Sequence, residues 1–208
     1  MHIFKDVMLY VNKRPVNIFA KGEPLNRFHQ FRVFGEDATA ALKALGLDPD
    51  GLEAQTQAEK IFVLPGRRDV VVKIVDGDRF AMRRRIGDEG DTELWEQTAN
   101  TELPLRRSVI AMVASHIPHM RAALSSFRTP EDLAKGLCKR ARMFDATTTV
   151  RETEIGPVTV RITDQEIGES TVRSVTLRAD EIKELNRVIA NLPQGTQGRN
   201  IGDVLLAA

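Results

Sequence analysis

Apolar residues alternate with polar ones through much of the chain and recur at three- and four-residue spacing in a few short stretches. The first pattern is that of half-buried strands, the second that of helices packed on one side. "RFHQFRVF" (27–34), "EKIFVL" (59–64), "VVVKIV" (70–75), "FAMRRRI" (80–86) and "TELWEQT" (92–98) read as strands. The last third adds strands over 138–144, 147–155, 157–164 and 170–178, with turns near Asp145, Gly156-Pro157 and Gly168. Asp76-Gly77 joins two of the strands in a tight hairpin, because Asp-Gly tolerates the positive backbone angles such a turn needs. A short helix, "ATAALKALG", follows Gly35, capped by Asp37 and stopped at Gly46. Ser108 caps "VIAMVASHI", whose Val109, Met112, Val113 and Ile117 share a face, and Pro118 ends or kinks it. Thr129-Pro130-Glu131-Asp132 starts another helix, with proline in its first turn and acids at its positive end. A final helix spans about 180–192, and "IGDVLLAA" is a short apolar tail that docks.

Residues 1–25 are broken apolar pieces and read as an N-terminal extension, and 26–208 as a single domain without a flexible linker. "FRVFGEDATAALKAL" and "SVTLRADEIKELNRV" both run strand, acidic helix start, helix, an echo that admits a two-half architecture. The expected class is α+β: a strongly curved or closed antiparallel sheet with helices packed outside.

Composition narrows the function. The chain has 208 residues, 42% hydrophobic and 28% charged, with a net charge of +1. It has the balance of a soluble globular protein and no global basic field for nucleic acid. Aromatics at 5% leave little for a base-stacking platform. The one cysteine, Cys138, excludes an internal disulfide and reads as a packed thiol at a strand start. No apolar run reaches the roughly 20 residues of a membrane span, and "MHIFKDVMLYVNKRP" lacks a signal-peptide core, so a cytoplasmic protein is expected.

Against that neutral background the cations are concentrated. Lys73, Arg83, Arg84, Arg85, Lys139, Arg140 and Arg142 fall on segments read as strand, and alternation sends about half to each face. Arg83 with Arg85, and Arg140 with Arg142, stand two apart, about 7 Å along a strand. Guanidinium forks at that spacing suit successive phosphates. Lys73 faces the Arg83 strand, and Arg161, Arg173 and Arg178 extend the lining. Glu152 and Glu154 also share a face; they either hold Mg²⁺, with Asp164 as a further ligand, or pair with neighbouring arginines. Glu93 and Glu96 fall on opposite faces. His116 and His119 flank Pro118 and read as structural. No glycine-rich phosphate loop or nucleophile elbow is present.

The order "RFHQFRVFGEDATAALKAL", "VVVKIVDGDRFAMRRRIG", "TELWEQT", "KRARMF" and "VRITDQEIGESTVRSVTLRADEIKELNRVI", over residues 27–205, resembles the CYTH superfamily, the triphosphate tunnel metalloenzymes. The resemblance implies an antiparallel barrel lined by Arg and Lys around a linear triphosphate or similar anion, with Lys73, Arg83, Arg85, Arg140, Arg142 and Arg161 as ligands. It also implies glutamates that place a divalent metal. The family's Glu-x-Glu-x-Lys signature has no counterpart in "NRFHQFR", and Thr176 and Arg178 stand where late-strand glutamates belong. The expected function is therefore binding of a triphosphate, polyphosphate or nucleotide with little or no catalysis and no cofactor. The alternatives are a Mg²⁺-dependent triphosphate hydrolase using Glu152, Glu154 and Asp164, and a protein-interaction module.

Overall fold

The structure is a computed structural model that describes residues 9–11, 14–16, 27–117 and 129–207. Most of the 1–25 extension, together with Pro118 and His119, lies outside the described residues. Leu9–Val11 (β1) and Arg14–Val16 (β2) form a two-stranded antiparallel ladder. Eight longer strands follow: β3 Arg27–Phe34, β4 Ala54–Val63, β5 Val70–Val75, β6 Arg79–Glu89, β7 Thr92–Glu102, β8 Arg142–Ile155, β9 Val158–Ile167 and β10 Ser170–Ala179. They close into a barrel in the order β10-β3-β7-β6-β5-β4-β8-β9. The helices are α1 Glu36–Leu45, α2 Arg107–His116, α3 Pro130–Cys138, α4 Ile182–Ile189 and α5 Ile201–Ala207. The α+β class with a closed antiparallel sheet is thus the one the alternation predicts. Among the described residues no helix is long and apolar enough to cross a membrane. Two compact units are built from interleaved segments.

The first unit takes the described residues of Met1–Asn26, Glu59–Arg84 and Glu96–Phe144. Register pairs Val72 with Met82 and with Phe62, and Ile74 with Phe80, so one face of these strands has an apolar centre, with Lys60 and Arg84 at its margins. Val109 and Val113 of α2 and Leu133 and Leu137 of α3 pack on that face. Asp76 and Gly77 take φ of 52° and 76°, the positive angles expected of the hairpin. Thr129 caps α3 by accepting from the Asp132 amide, as its sequence predicts. The start of α2 differs: Arg106 is its N-cap, and no side chain caps it.

A larger correction falls between 138 and 146. Of the expected strand over 138–144, Cys138 ends α3, Lys139 and Arg140 form a turn, and only Arg142–Phe144 is strand, as the start of β8. Leu133, Ala134 and Leu137 repeat at three and four residues and are buried, and this helical burial overrides the strand pattern. Cys138 is consequently exposed instead of packed, with its Sγ 3.4 Å from the Met143 Sδ. The expected turn at Asp145 is absent. Phe144, Ala146, Thr148 and Val150 keep alternate positions buried, and β8 runs through.

The second unit takes Arg27–Ala58, Arg85–Trp95 and the described residues of Asp145–Ala208. Phe31 and Val33 of β3 pair with Leu177 and Val175 of β10, which pair with Val160 and Ile162 of β9. Ala38, Ala41 and Leu42 of α1 and Leu185 and Val188 of α4 cover this apolar face. The two strand-helix echoes therefore share one core within a single unit. On the same side as Ile162, Asp164 accepts from Arg173 (2.6 and 3.1 Å) and from Arg151 (2.9 Å). The C-terminal segment closes the unit: the Arg199 amide donates to the Arg32 carbonyl (2.8 Å), and Asn200 accepts from the Gly202 amide (2.7 Å).

Two outcomes follow from this packing. The hydrogen bond from Arg173, with its charge and that of Arg151, outweighs burial and holds the Asp164 carboxyl below its ordinary value. A depressed folded pKa stabilises above the unfolded aspartate value of about 3.9 and loses that contribution as pH falls through the folded value. Asp164→Asn should cost about 1 kcal/mol at pH 7, or about 2–4 °C in Tm, after allowance for solvent screening. Its deficit against the parent in urea melts should shrink steadily below about pH 4, and a deficit independent of pH would contradict the assignment. At Gly198, a Cβ would collide with the Asp91 carbonyl and lie 3.1 Å from the Phe31 ring. Gly198→Ala should speed hydrogen exchange of the Arg199 amide by about tenfold, with the β10 amides unaffected.

Candidate anion-binding face

Among the described residues, α1 and α4 cover one face of β3, β10 and β9; the other face, continued by β8, is largely polar, and its register can be read residue by residue. Ser174 stands between Phe34 and Thr163, and Thr163 pairs with Val150. Two residues along, Thr176 stands between Arg32 and Arg161, and Arg161 pairs with Glu152. Two further, Arg178 stands between Gln30 and Thr159, and Thr159 pairs with Glu154. Neighbouring strands lie about 4.8 Å apart and successive rows about 7 Å, so Arg32 and Arg161 are about 10 Å apart at Cα and Arg178 about 8 Å from each. At the level of Cα positions the result is a triangle of arginines around Thr176, flanked along β8 by Glu152 and Glu154.

Local contacts hold these side chains in place. The Arg32 Nε donates to the Thr176 Oγ1 at 2.8 Å, while its guanidinium lies 6.0 Å from the Phe34 ring centre. Arg178 lies over the Phe28 ring at 5.2 Å, a cation–π contact that fixes its plane. Arg161 pairs with Glu152 at 3.3 Å, where Glu152 is half exposed. The row of Phe34, Ser174, Thr163 and Val150 carries no charge, so the cationic area ends there.

Beside Gln30, a second carboxylate gathers four donors. Glu93 accepts from Arg85 Nη1 (3.1 Å), Trp95 Nε1 (2.9 Å), Asn200 Nδ2 (3.0 Å) and, at the limit of a hydrogen bond, Gln30 Nε2 (3.5 Å). Arg85 also reaches Asp88 at 3.5 Å. Through Glu93, Arg85 is tied to the edge of the arginine rows.

The cations expected from sequence separate into distinct environments. Arg161 stands within the polar face, and Arg85 joins its edge through Glu93. In the first unit, Lys73 and Arg83 share the face of β5 and β6 that points away from α2 and α3, in company with Val71 and Val75. Lys73 is bound to Glu59 at 2.7 Å, and the Glu59 side chain is 3% exposed. Arg140 is an exposed turn residue, so it shares no strand face with Arg142. Arg142 is exposed at the first position of β8, its guanidinium 4.9 Å from the Phe144 ring centre. Arg84 faces the helices and pairs with Glu96 at 3.3 Å. Nearby, the His116 carbonyl accepts from Arg67 (3.1 Å). Burial, then the Arg84 charge, lowers the His116 imidazole below its usual range against the pull of Glu96, which leaves it neutral at pH 7.

The carboxylate set Glu152, Glu154 and Asp164 is not brought together. Asp164 pairs with Thr149 and Arg173, one position out of phase with Arg161, and therefore sits on the opposite face. Glu152 and Glu154 do share the polar face. Among the described residues, no group of three or more His, Cys, Asp or Glu converges as a metal site would require. Arg32 is the binding candidate that sequence reasoning missed. Its signal was a charge two residues before Phe34 and two after Gln30 in a run whose other register, Phe31 and Val33, is apolar.

No protein-family model and no curated protein sequence matches this chain. Among solved structures it is similar to a putative adenylyl cyclase from Hippeastrum described as having a dominant triphosphatase activity, at 11% identity over 78% of this chain and 84% of that one, with a TM-score of 0.42. It is similar to a putative adenylate cyclase from Bacillus halodurans, at 10% identity over 83% and 93% of the two chains and a TM-score of 0.44. A conserved hypothetical protein from Pyrococcus furiosus matches at 14% identity over 86% and 99%, with a TM-score of 0.43. No residue assignment follows from likeness of this degree, and the chemistry of the face has to be argued from its own side chains.

Proposed function

We propose that the polar face of β3, β10, β9 and β8 binds a phosphorylated anion, a triphosphate, polyphosphate or nucleotide, without needing a metal ion. The observation that carries this reading is the placement of Arg32, Arg161 and Arg178 around Thr176 on one face. Arginine is suited to this task because its planar fork donates two parallel hydrogen bonds to phosphate oxygens and never loses its charge. Three forks and a hydroxyl on one rigid sheet supply donors from several directions without ordering a loop, which lowers the entropy cost of capture.

A second reading, a Mg²⁺-dependent phosphohydrolase, is favoured by the column of Glu152 and Glu154 beside the same arginines. Two carboxylates about 7 Å apart at their Cα atoms suit an ion that keeps several waters and bridges protein oxygens to phosphate. When bound there, Mg²⁺ would neutralise phosphate charge and orient a water. Arg161 would hold the phosphate, and Glu154 would stay available after Glu152 had exchanged its partner.

Thermal melts with tripolyphosphate and no divalent metal test the first reading. At 100 times the dissociation constant a ligand adds about 2.7 kcal/mol, here about 5–10 °C. Arg161→Ala and Arg32→Ala should each remove most of that shift, whereas Arg187→Ala, on exposed α4, should keep it; equal shifts in all three would refute the site. For the second reading, phosphate release from tripolyphosphate should require Mg²⁺, stop with chelator and fall by at least about 100-fold in Glu152→Gln or Glu154→Gln. Release that survives both substitutions would reject those carboxylates.

A further inference from the structure

The C-terminal segment reaches the candidate site through the Asn200 side chain. Asn200 is buried, and both ends of its amide are used: Oδ1 accepts from the Gly202 amide, and Nδ2 donates to Glu93 Oε1. Its neighbour Arg199 is bonded through the backbone to Arg32, one of the three arginines around Thr176. Gly198 lies so close to Asp91 and Phe31 that no side chain fits. The position of Asn200 is therefore set from both directions along the chain.

Glu93 passes this order on. The same Oε1 that accepts from Asn200 also accepts from Arg85, and the other oxygen accepts from Trp95 and Gln30. Trp95 and Gln30 hold the Oε2 side, so Asn200 is the donor that fixes Oε1, the oxygen to which Arg85 is bonded. We propose that Asn200 is a positioning residue for anion binding: by fixing Glu93 it aims the Arg85 guanidinium at an anion held on the neighbouring arginine rows. The C-terminal segment is then a working part of the site, in addition to burying Ile201 and Leu205. This inference rests on the anion-binding reading above.

A double-mutant cycle tests it, with tripolyphosphate titrated calorimetrically into the full-length protein. Asn200→Ala should weaken binding by about five- to tenfold in the parent and by less than about twofold in an Arg85→Ala background, since residues acting through one another are not additive. Glu93→Gln, which keeps the shape and removes the charge, should show the same dependence on Arg85 and serves if Asn200→Ala does not fold. Equal losses in both backgrounds, or none in either, would overturn the relay while leaving the arginine face standing. An absence of tripolyphosphate binding in the parent, with its melt unchanged, would overturn both the face and the relay. Faster exchange of residues 199–206 in Asn200→Ala, at unchanged affinity, would identify a purely structural anchor and also sink the proposal.

Discussion

Strand register is the constraint on which the rest of the second unit depends. Each of β3, β10 and β9 presents apolar residues to α1 and α4 and polar ones to the other side. A slip of one residue in any of them would bury Arg32, Arg161 or Arg178 against helices and expose Phe31, Leu177 or Val160. Burying an unpaired charge costs several kcal/mol, and losing each large apolar side chain from the core costs about 2–5 kcal/mol. The same forces that fix the fold therefore place three arginines and Thr176 in adjoining rows. The polar rows need no loop to position them.

Charge balance within the units explains how a chain of net charge +1 can present concentrated cations. Several described guanidinium and ammonium groups already face a carboxylate: Lys73 with Glu59, Arg84 with Glu96, Arg85 with Glu93, and Arg151 and Arg173 with Asp164. These pairs differ in what they leave for a ligand. Removing Lys73 would take an ammonium from the buried Glu59 carboxylate, a loss of about 3–5 kcal/mol for a buried pair, so this pair serves packing in the first unit. Arg161–Glu152 is a half-exposed pair, worth at most about 1 kcal/mol, and its arginine is correspondingly free to change partners.

The element order and fold class were legible because alternation and turn residues agree along most of the chain. Asp76-Gly77 and the Thr129 cap are local chemistry that tertiary context left alone. Residues 138–141 were misread as strand because "LCKRARMF" alternates in charge, while the buried Leu133, Ala134 and Leu137 carry the helix on to Cys138, and only packing decides between the two. Arg161 was recognisable as a strand cation. Arg140 was lost with the misread strand, and Asp164 was grouped with Glu152 because the register that sets Glu152 beside Arg161 and Asp164 beside Thr149 cannot be read from either strand alone. Glu93, dismissed on parity with Glu96, gained its importance from Asn200, which lies 107 residues later. No local pattern reports a partner at that separation.

Binding and hydrolysis are less opposed on this face than as names. An anion that engages Arg161 takes it from Glu152, exchanging a half-exposed ion pair for charge-assisted hydrogen bonds to phosphate, each worth about 1.5–3 kcal/mol. The exchange is favourable only because Glu152 returns easily to water. Once released, Glu152 stands beside Glu154 with two carboxylates uncompensated and a phosphate next to them. This is the electrostatic situation in which a divalent cation is attracted to the β8 column. The Arg161–Glu152 pair is thus the step at which the two readings divide. If phosphate alone satisfies the face, Glu152 stays solvated and the protein is a binder; if the vacated carboxylates capture Mg²⁺, the same geometry supplies what phosphoryl transfer needs.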